Sequence, residues 1–156
     1  MSSIRYQTRF RINQPVDELF PLFSAEGEKH WVPGWDYENV MGSTDIHEDY
    51  IFLTSGHHGS GHHHSSAKQI WLVKRYEPSI YFIQFYRVEP FHRVVIISVR
   101  CEPLTAASTE VDVGYEFVGL SKEGDDFING YTSEEFEASI HKWSVWLVDY
   151  FDAKPS

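Results

Sequence analysis

Ile4, Tyr6, Thr8, Phe10 and Ile12 alternate with Arg5, Gln7, Arg9 and Arg11. A period of two marks a strand with one dry and one wet face. Asn13-Gln14-Pro15 ends it, and Pro15 suits the first turn of a helix. Val16, Leu19, Phe20 and Phe23 then recur at helical spacing, which predicts a short amphipathic helix. Ser24 is a candidate cap for a second short helical or turn segment that stops at Pro33-Gly34. Residues 36–43 read as loop. Strands are predicted near 44–54, 67–76, 79–89, 91–102 and 108–120, and the short breaks at Glu77-Pro78-Ser79 and Glu89-Pro90 favour antiparallel hairpins. The pattern changes once more at the end. Phe136, Ile140, Trp143, Leu147 and Tyr150 recur at steps of four, three, four and three, with Glu134, Glu135, Glu137, Lys142 and Asp149 off that stripe. This is one face of a helix about 20 residues long.

The order β-α-α-β-β-β-β-β-α is an α+β arrangement in which one long helix must bury an aromatic face against a curved antiparallel sheet. A helix of about 20 residues and a strand of about 10 both span roughly 30 Å, so the helix can lie along the whole sheet. Trp71 and Val73 share one strand face, and Ile80, Phe82, Gln84, Tyr86 and Val88 share another. Val95, Ile97 and Val99 form a third, and Tyr115 and Phe117 a fourth. If these faces point inward, they enclose an apolar, aromatic space with polar tips at Gln84, Tyr86 and Tyr115. The same rings could instead fill the middle as a packed core. Trp31 and Trp35 flank the rigid turn Val32-Pro33-Gly34. Their rings could line the rim of such a space, plug the short helices against the sheet, or do both. The candidate ligand-binding residues are Trp31, Trp35, Trp71, Phe82, Gln84, Tyr86, Ile97, Tyr115, Phe117, Ile140 and Trp143.

The segment Phe20-Pro21-Leu22-Phe23-Ser24-Ala25-Glu26-Gly27-Glu28-Lys29-His30-Trp31-Val32-Pro33-Gly34-Trp35 resembles the START-like (SRPBCC) superfamily, which includes polyketide cyclase/dehydrase proteins, lipid-transport domains and pollen-allergen-like carriers. Trp71-Leu72-Val73, Tyr86-Arg87-Val88-Glu89-Pro90 and Gly119-Leu120-Ser121-Lys122-Glu123-Gly124 fit the same pattern. The resemblance covers nearly the whole chain. It implies a helix-grip fold, in which a strongly bent antiparallel sheet grips a C-terminal helix and two short helices close one end. It does not imply one function, because a fold of this kind hosts many activities. The Gly-, Ser- and His-rich stretch 54–66 departs from the pattern and reads as a mobile hairpin loop.

Composition narrows the partners. The 156 residues, with 16% aromatic content, suit one START-like domain over 1–156. A formal charge of −10 repels phosphate backbones and anionic membranes, so no nucleic acid and no stable membrane insertion are expected. Cys101 is the sole cysteine, which suits a reducing cytosol and reads as a buried, inert thiol. The start Met1-Ser2-Ser3-Ile4-Arg5 lacks the apolar core of a leader, and a cytoplasmic location is expected. An edge strand could support a homodimer.

No G-x-S-x-G, H-E-x-x-H, C-x-x-C, P-loop or G-x-G-x-x-G motif occurs, and no cofactor is expected. His57-His58 and His62-His63-His64 could capture a metal adventitiously, but their spacing resembles no structural zinc motif, so no functional metal site is assigned. Glu26 and Glu28, two apart on a helix, should point in different directions. His30, Arg87, His92 and His141 are the polar residues nearest the expected space. His141 sits beside the helix stripe, where a lone histidine is more often a hydrogen-bonded structural residue than an acid or base. Arg87 reads as a partner for a carboxylate or turn carbonyl. Three functions stay open: binding of a small hydrophobic ligand such as a lipid, polyketide or aromatic compound; a polyketide cyclase/dehydrase-type enzyme using a cavity His, Tyr or Arg as acid/base; and a protein-interaction module of the heat-shock-ATPase-activator kind. A polar, titratable pair converging inside would favour the enzyme.

Overall fold

A computed structural model describes residues 2–55 and 68–154. Among them, seven strands form one antiparallel sheet in the order β1-β7-β6-β5-β4-β3-β2. These are β1 (Ser3–Ile12), β2 (Tyr37–Asn39), β3 (Ile51–Thr54), β4 (Gln69–Glu77), β5 (Phe82–Glu89), β6 (Arg93–Thr105) and β7 (Ser108–Gly119). The helices are α1 (Val16–Leu19), α2 (Ala25–Glu28), α3 (Lys122–Gly130) and α4 (Ser133–Ala153), with a 3-10 turn at Phe20–Leu22 between α1 and α2. The sheet curls around α4, and two short helices follow β1, as the resemblance implies.

Strand register explains the core. Tyr6, Tyr115, Ile97, Phe85 and Val73 are successive cross-strand partners and form one row across the concave face. Ile4, Phe117, Val95, Arg87, Trp71 and Phe52 form the next. A third row runs Gly119, Arg93, Glu89. Side chains opposite each other on one face are the packing units of a sheet.

The last helix caps itself. Thr132 Oγ1 accepts from the Glu135 backbone N–H at 3.1 Å, and Glu134 and Glu135 occupy the first turn, where negative charge is favoured. Phe136, Ile140 and Leu147 are buried, and Trp143 and Tyr150 are half-buried, so the stripe read from the sequence is the packed face. Phe136 stacks on Tyr6 with centroids 5.7 Å apart and meets Tyr115 edge-on at 5.2 Å.

Three elements differ from expectation. Residues 37–39, expected as loop, form the edge strand β2. The strand expected over 44–54 is paired as strand only from Ile51. Before it the chain turns through Asp49 at φ 69°, a left-handed position. The helix α3 was not foreseen. Ser121 caps it by accepting from the Gly124 N–H at 3.1 Å, and Gly124 lies so close to the His92 carbonyl that a Cβ there would sit 1.9 Å from the oxygen. The histidine-rich stretch from 56 onward lies outside the described residues.

Candidate functional site

The short helices close one end of the grip through their tryptophans. The Trp31 indole N–H donates to the Leu22 carbonyl at 2.8 Å, and its ring meets Phe23 and Trp143 edge-on at 5.6 and 5.8 Å. The Trp35 indole N–H donates to the Ala25 carbonyl at 2.8 Å, and its ring packs edge-on against Trp71 at 5.8 Å. Each ring thus pins the α1–α2 segment to the sheet or to α4, the plug arrangement. Trp71 in turn donates to Thr54 Oγ1 at 2.9 Å and stacks on Phe52 at 5.3 Å.

Glu28 enters the interior from α2. Ser24 caps that helix through the Gly27 N–H at 2.9 Å. Gly27 packs against the preceding 3-10 turn so tightly that a Cβ would lie 2.4 Å from the Pro21 carbonyl oxygen. This close seat turns Glu26 and Glu28 apart. Glu26 faces out, bonded to the Tyr37 hydroxyl and 3.1 Å from Lys29 Nζ. The Tyr37 bond, with help from Lys29, holds its carboxyl below the ordinary range. Glu28 faces in. Burial pushes its carboxyl up to about 8, against the opposing pull of the Arg87 cation.

Arg87, Tyr115 and Tyr131 share this electrostatic neighbourhood. Burial raises the Tyr115 phenol, opposed by Arg87 and reinforced by Tyr131 and Glu28. Burial raises the Tyr131 phenol as well, against Arg87 and Arg93. At neutral pH the interior therefore presents a largely protonated carboxyl, two phenols and a guanidinium. All are hydrogen-bond donors, suited to a carbonyl or anionic oxygen, and a carboxyl poised near neutrality can also move a proton.

The interior is not uniformly closed. Val113 and Phe117 flank Tyr115 on the same strand face and are fully buried, whereas Tyr115 keeps accessible surface. Glu28 is enclosed deeply enough for desolvation to dominate its ionisation, yet it too is only partly buried. Arg87 retains 15% side-chain exposure. Glu28, Arg87 and Tyr115 thus keep some accessible surface where their neighbours keep none.

Eight of the eleven candidate residues meet around this face. Trp31, Trp35, Trp71, Ile97, Tyr115, Phe117, Ile140 and Trp143 are all core or core-packed. Phe82, Gln84 and Tyr86 are a correction, because they occupy the outer face of β5. Gln84 Nε2 there donates to Ser98 Oγ at 3.1 Å, and the Arg75 guanidinium covers the Phe82 ring at 4.8 Å. The inward set is Ile83, Phe85, Arg87 and Glu89. A register shift between Val73 and Arg75, and Tyr81 at φ 55° after a 3-10 turn, break the phase that the sequence carries into β5. His141 is exposed on α4, and His30 is exposed with its ring 6.0 Å from Tyr150. Glu28 and Arg93 were not among the sequence candidates. Arg93 carried a signal, because period two extended back from Val95, Ile97 and Val99 puts it on their face. Glu28 carried none.

Neither a protein-family model nor a curated protein sequence matches the chain. Solved structures do. Norcoclaurine synthase from Thalictrum flavum, in complex with dopamine and hydroxybenzaldehyde, superposes with a TM-score of 0.66 at 12% identity, covering 99% of this chain and 90% of that one. The Zhui aromatase/cyclase from Streptomyces sp. R1128 gives 0.60 at 16% identity, over 96% and 91%. The di-domain ARO/CYC BexL gives 0.67 at 13%, over 92% of this chain and 46% of that one. The chain shares the helix-grip fold of these proteins. Within this fold Arg87 and Tyr115 lie on the concave sheet face, electrostatically coupled to Glu28 from α2.

Proposed function

We propose that this START-like protein binds a small, mainly apolar aromatic molecule between the concave sheet face and α4. The observation that carries the reading is the partial accessibility of Tyr115 and Glu28 amid fully buried neighbours. Edge-on and stacked ring contacts of the kind already made by Trp143, Phe136 and Trp71 would supply affinity, together with removal of ligand apolar surface from water. A thermal-shift panel of bicyclic aromatics, fatty acids and flavonoids tests it. Binders should raise the melting temperature, and substitution of Tyr115 by Trp, which fills the space, should abolish the shift. A panel in which no member stabilises the protein contradicts the reading.

Glu28 favours a second reading, proton transfer to or from the bound molecule. A carboxyl near pH 8 beside a guanidinium can protonate a carbonyl oxygen or take a proton α to it. The named neighbours include an aromatase/cyclase and a synthase crystallised with an amine and an aldehyde. Deuterium exchange at C1 of 2-tetralone in D2O is a direct probe. The wild type should exchange it about a hundredfold faster than Glu28→Gln. Equal rates would remove the enzymatic reading and leave the binding one.

A further inference from the structure

The concave face carries three charged side chains that do not balance. Arg93 Nε donates to Glu89 Oε2 at 2.6 Å, and its guanidinium lies 3.7 Å from the centroid of the Phe127 ring, with the side chain only 2% exposed. Arg87 stands two residues before Glu89 on the same face, and its Nε is 3.9 Å from that same carboxylate oxygen. This is beyond hydrogen-bonding range, and the Arg87 Nε has no hydrogen-bond partner. The guanidinium lies 5.5 Å from the Trp71 ring centroid, a contact that orients it without neutralising it.

Two guanidinium groups therefore share one carboxylate, which Arg93 already engages. A buried cation left without a full partner is costly, and such groups are retained where something else completes them. It is also out of keeping with a chain whose formal charge is −10. Glu28 does not complete it, because no ion pair joins Glu28 to Arg87 among the described residues and the carboxyl is largely protonated at neutral pH.

We propose that Arg87 is the anchor for an anionic oxygen on the ligand, so that the preferred occupant of the interior is an aromatic carboxylate rather than a neutral aromatic. This rests on the reading that the space takes a small aromatic molecule. The carboxylate would sit at the accessible side of the Arg87 guanidinium, with the rings toward Tyr115.

Titration calorimetry with naphthalene-2-carboxylate and with its methyl ester at pH 7 tests the anchor, because the ester keeps the rings and the carbonyl and replaces the charge with one methyl group. The wild type should bind the carboxylate about tenfold or more tightly than the ester. Arg87→Gln should bring the two affinities within about threefold of each other. Even if that variant folds poorly, the wild-type ratio can still overturn the anchor. Equal binding of carboxylate and ester overturns the anchor and leaves the aromatic site standing. Failure of both probes to bind overturns the anchor together with the reading beneath it. A preference for the carboxylate that survives Arg87→Gln assigns the charge to another residue and also overturns it.

Discussion

Glu28 shows how one inward carboxyl ties stability to pH. Its folded pKa of about 8 lies above the ordinary carboxylate value of 4.5. Between those values the folded protein holds a proton that the unfolded chain has released. Stability from this group is complete below the unfolded pKa and is lost as pH rises through the folded one. Glu28→Gln removes the dependence. In urea unfolding the variant should match the wild type near pH 4.5 and exceed it at pH 8.5 by on the order of a few kcal/mol. A constant difference between the two proteins across that range would show that Glu28 is not held neutral by burial. Cys101 is the quieter case, because burial alone pushes its thiol up to about 12. It should react slowly with thiol reagents until the protein unfolds.

At the scale of elements, the close seat of α2 is what aims Glu28. A methyl group at Gly27 would collide with backbone atoms of Pro21 and Leu22, so Gly27→Ala should cost about 1–3 kcal/mol and displace the Glu28 carboxyl. Loss of the pH-dependent term in this variant, beyond the loss of stability, would report the displacement. Along α4 the contrast lies between faces. Leu147→Ala should cost about 2–5 kcal/mol, because Leu147 is fully buried. Val148→Ala, at a position 45% exposed, should cost less than about 0.5 kcal/mol. The two long amphipathic patterns, β1 and α4, were legible because burial alone governs them. β5 was not. Its inward face carries Arg87 and Glu89, and its outer face carries Phe82, Tyr86 and Val88. Hydrophobicity therefore points to the wrong side, and a bulge with a left-handed residue hides the phase. Local rules fail most readily where charge is placed inside for a purpose. The helix α3 was missed for a plainer reason: it is short and mostly polar, and it is held by a cap and a glycine contact rather than by an apolar stripe.

Over the whole molecule, a curved sheet, a long helix and two short ones pack around an aromatic interior, and the proposed ligand space lies between the concave face and α4. No helix among the described residues is long and apolar enough to cross a membrane. The fold follows from the alternation of dry and wet faces, whereas the proposed function rests on Glu28, Arg87 and Tyr115, which come from three separate elements. Crystals soaked with 2-bromonaphthalene test that enclosure directly through the anomalous signal of bromine. One bromine site should appear between α4 and the concave face, within van der Waals reach of Tyr115 and Trp143. Bromine found only on the outer surface, with side chains filling the interior, would contradict the account.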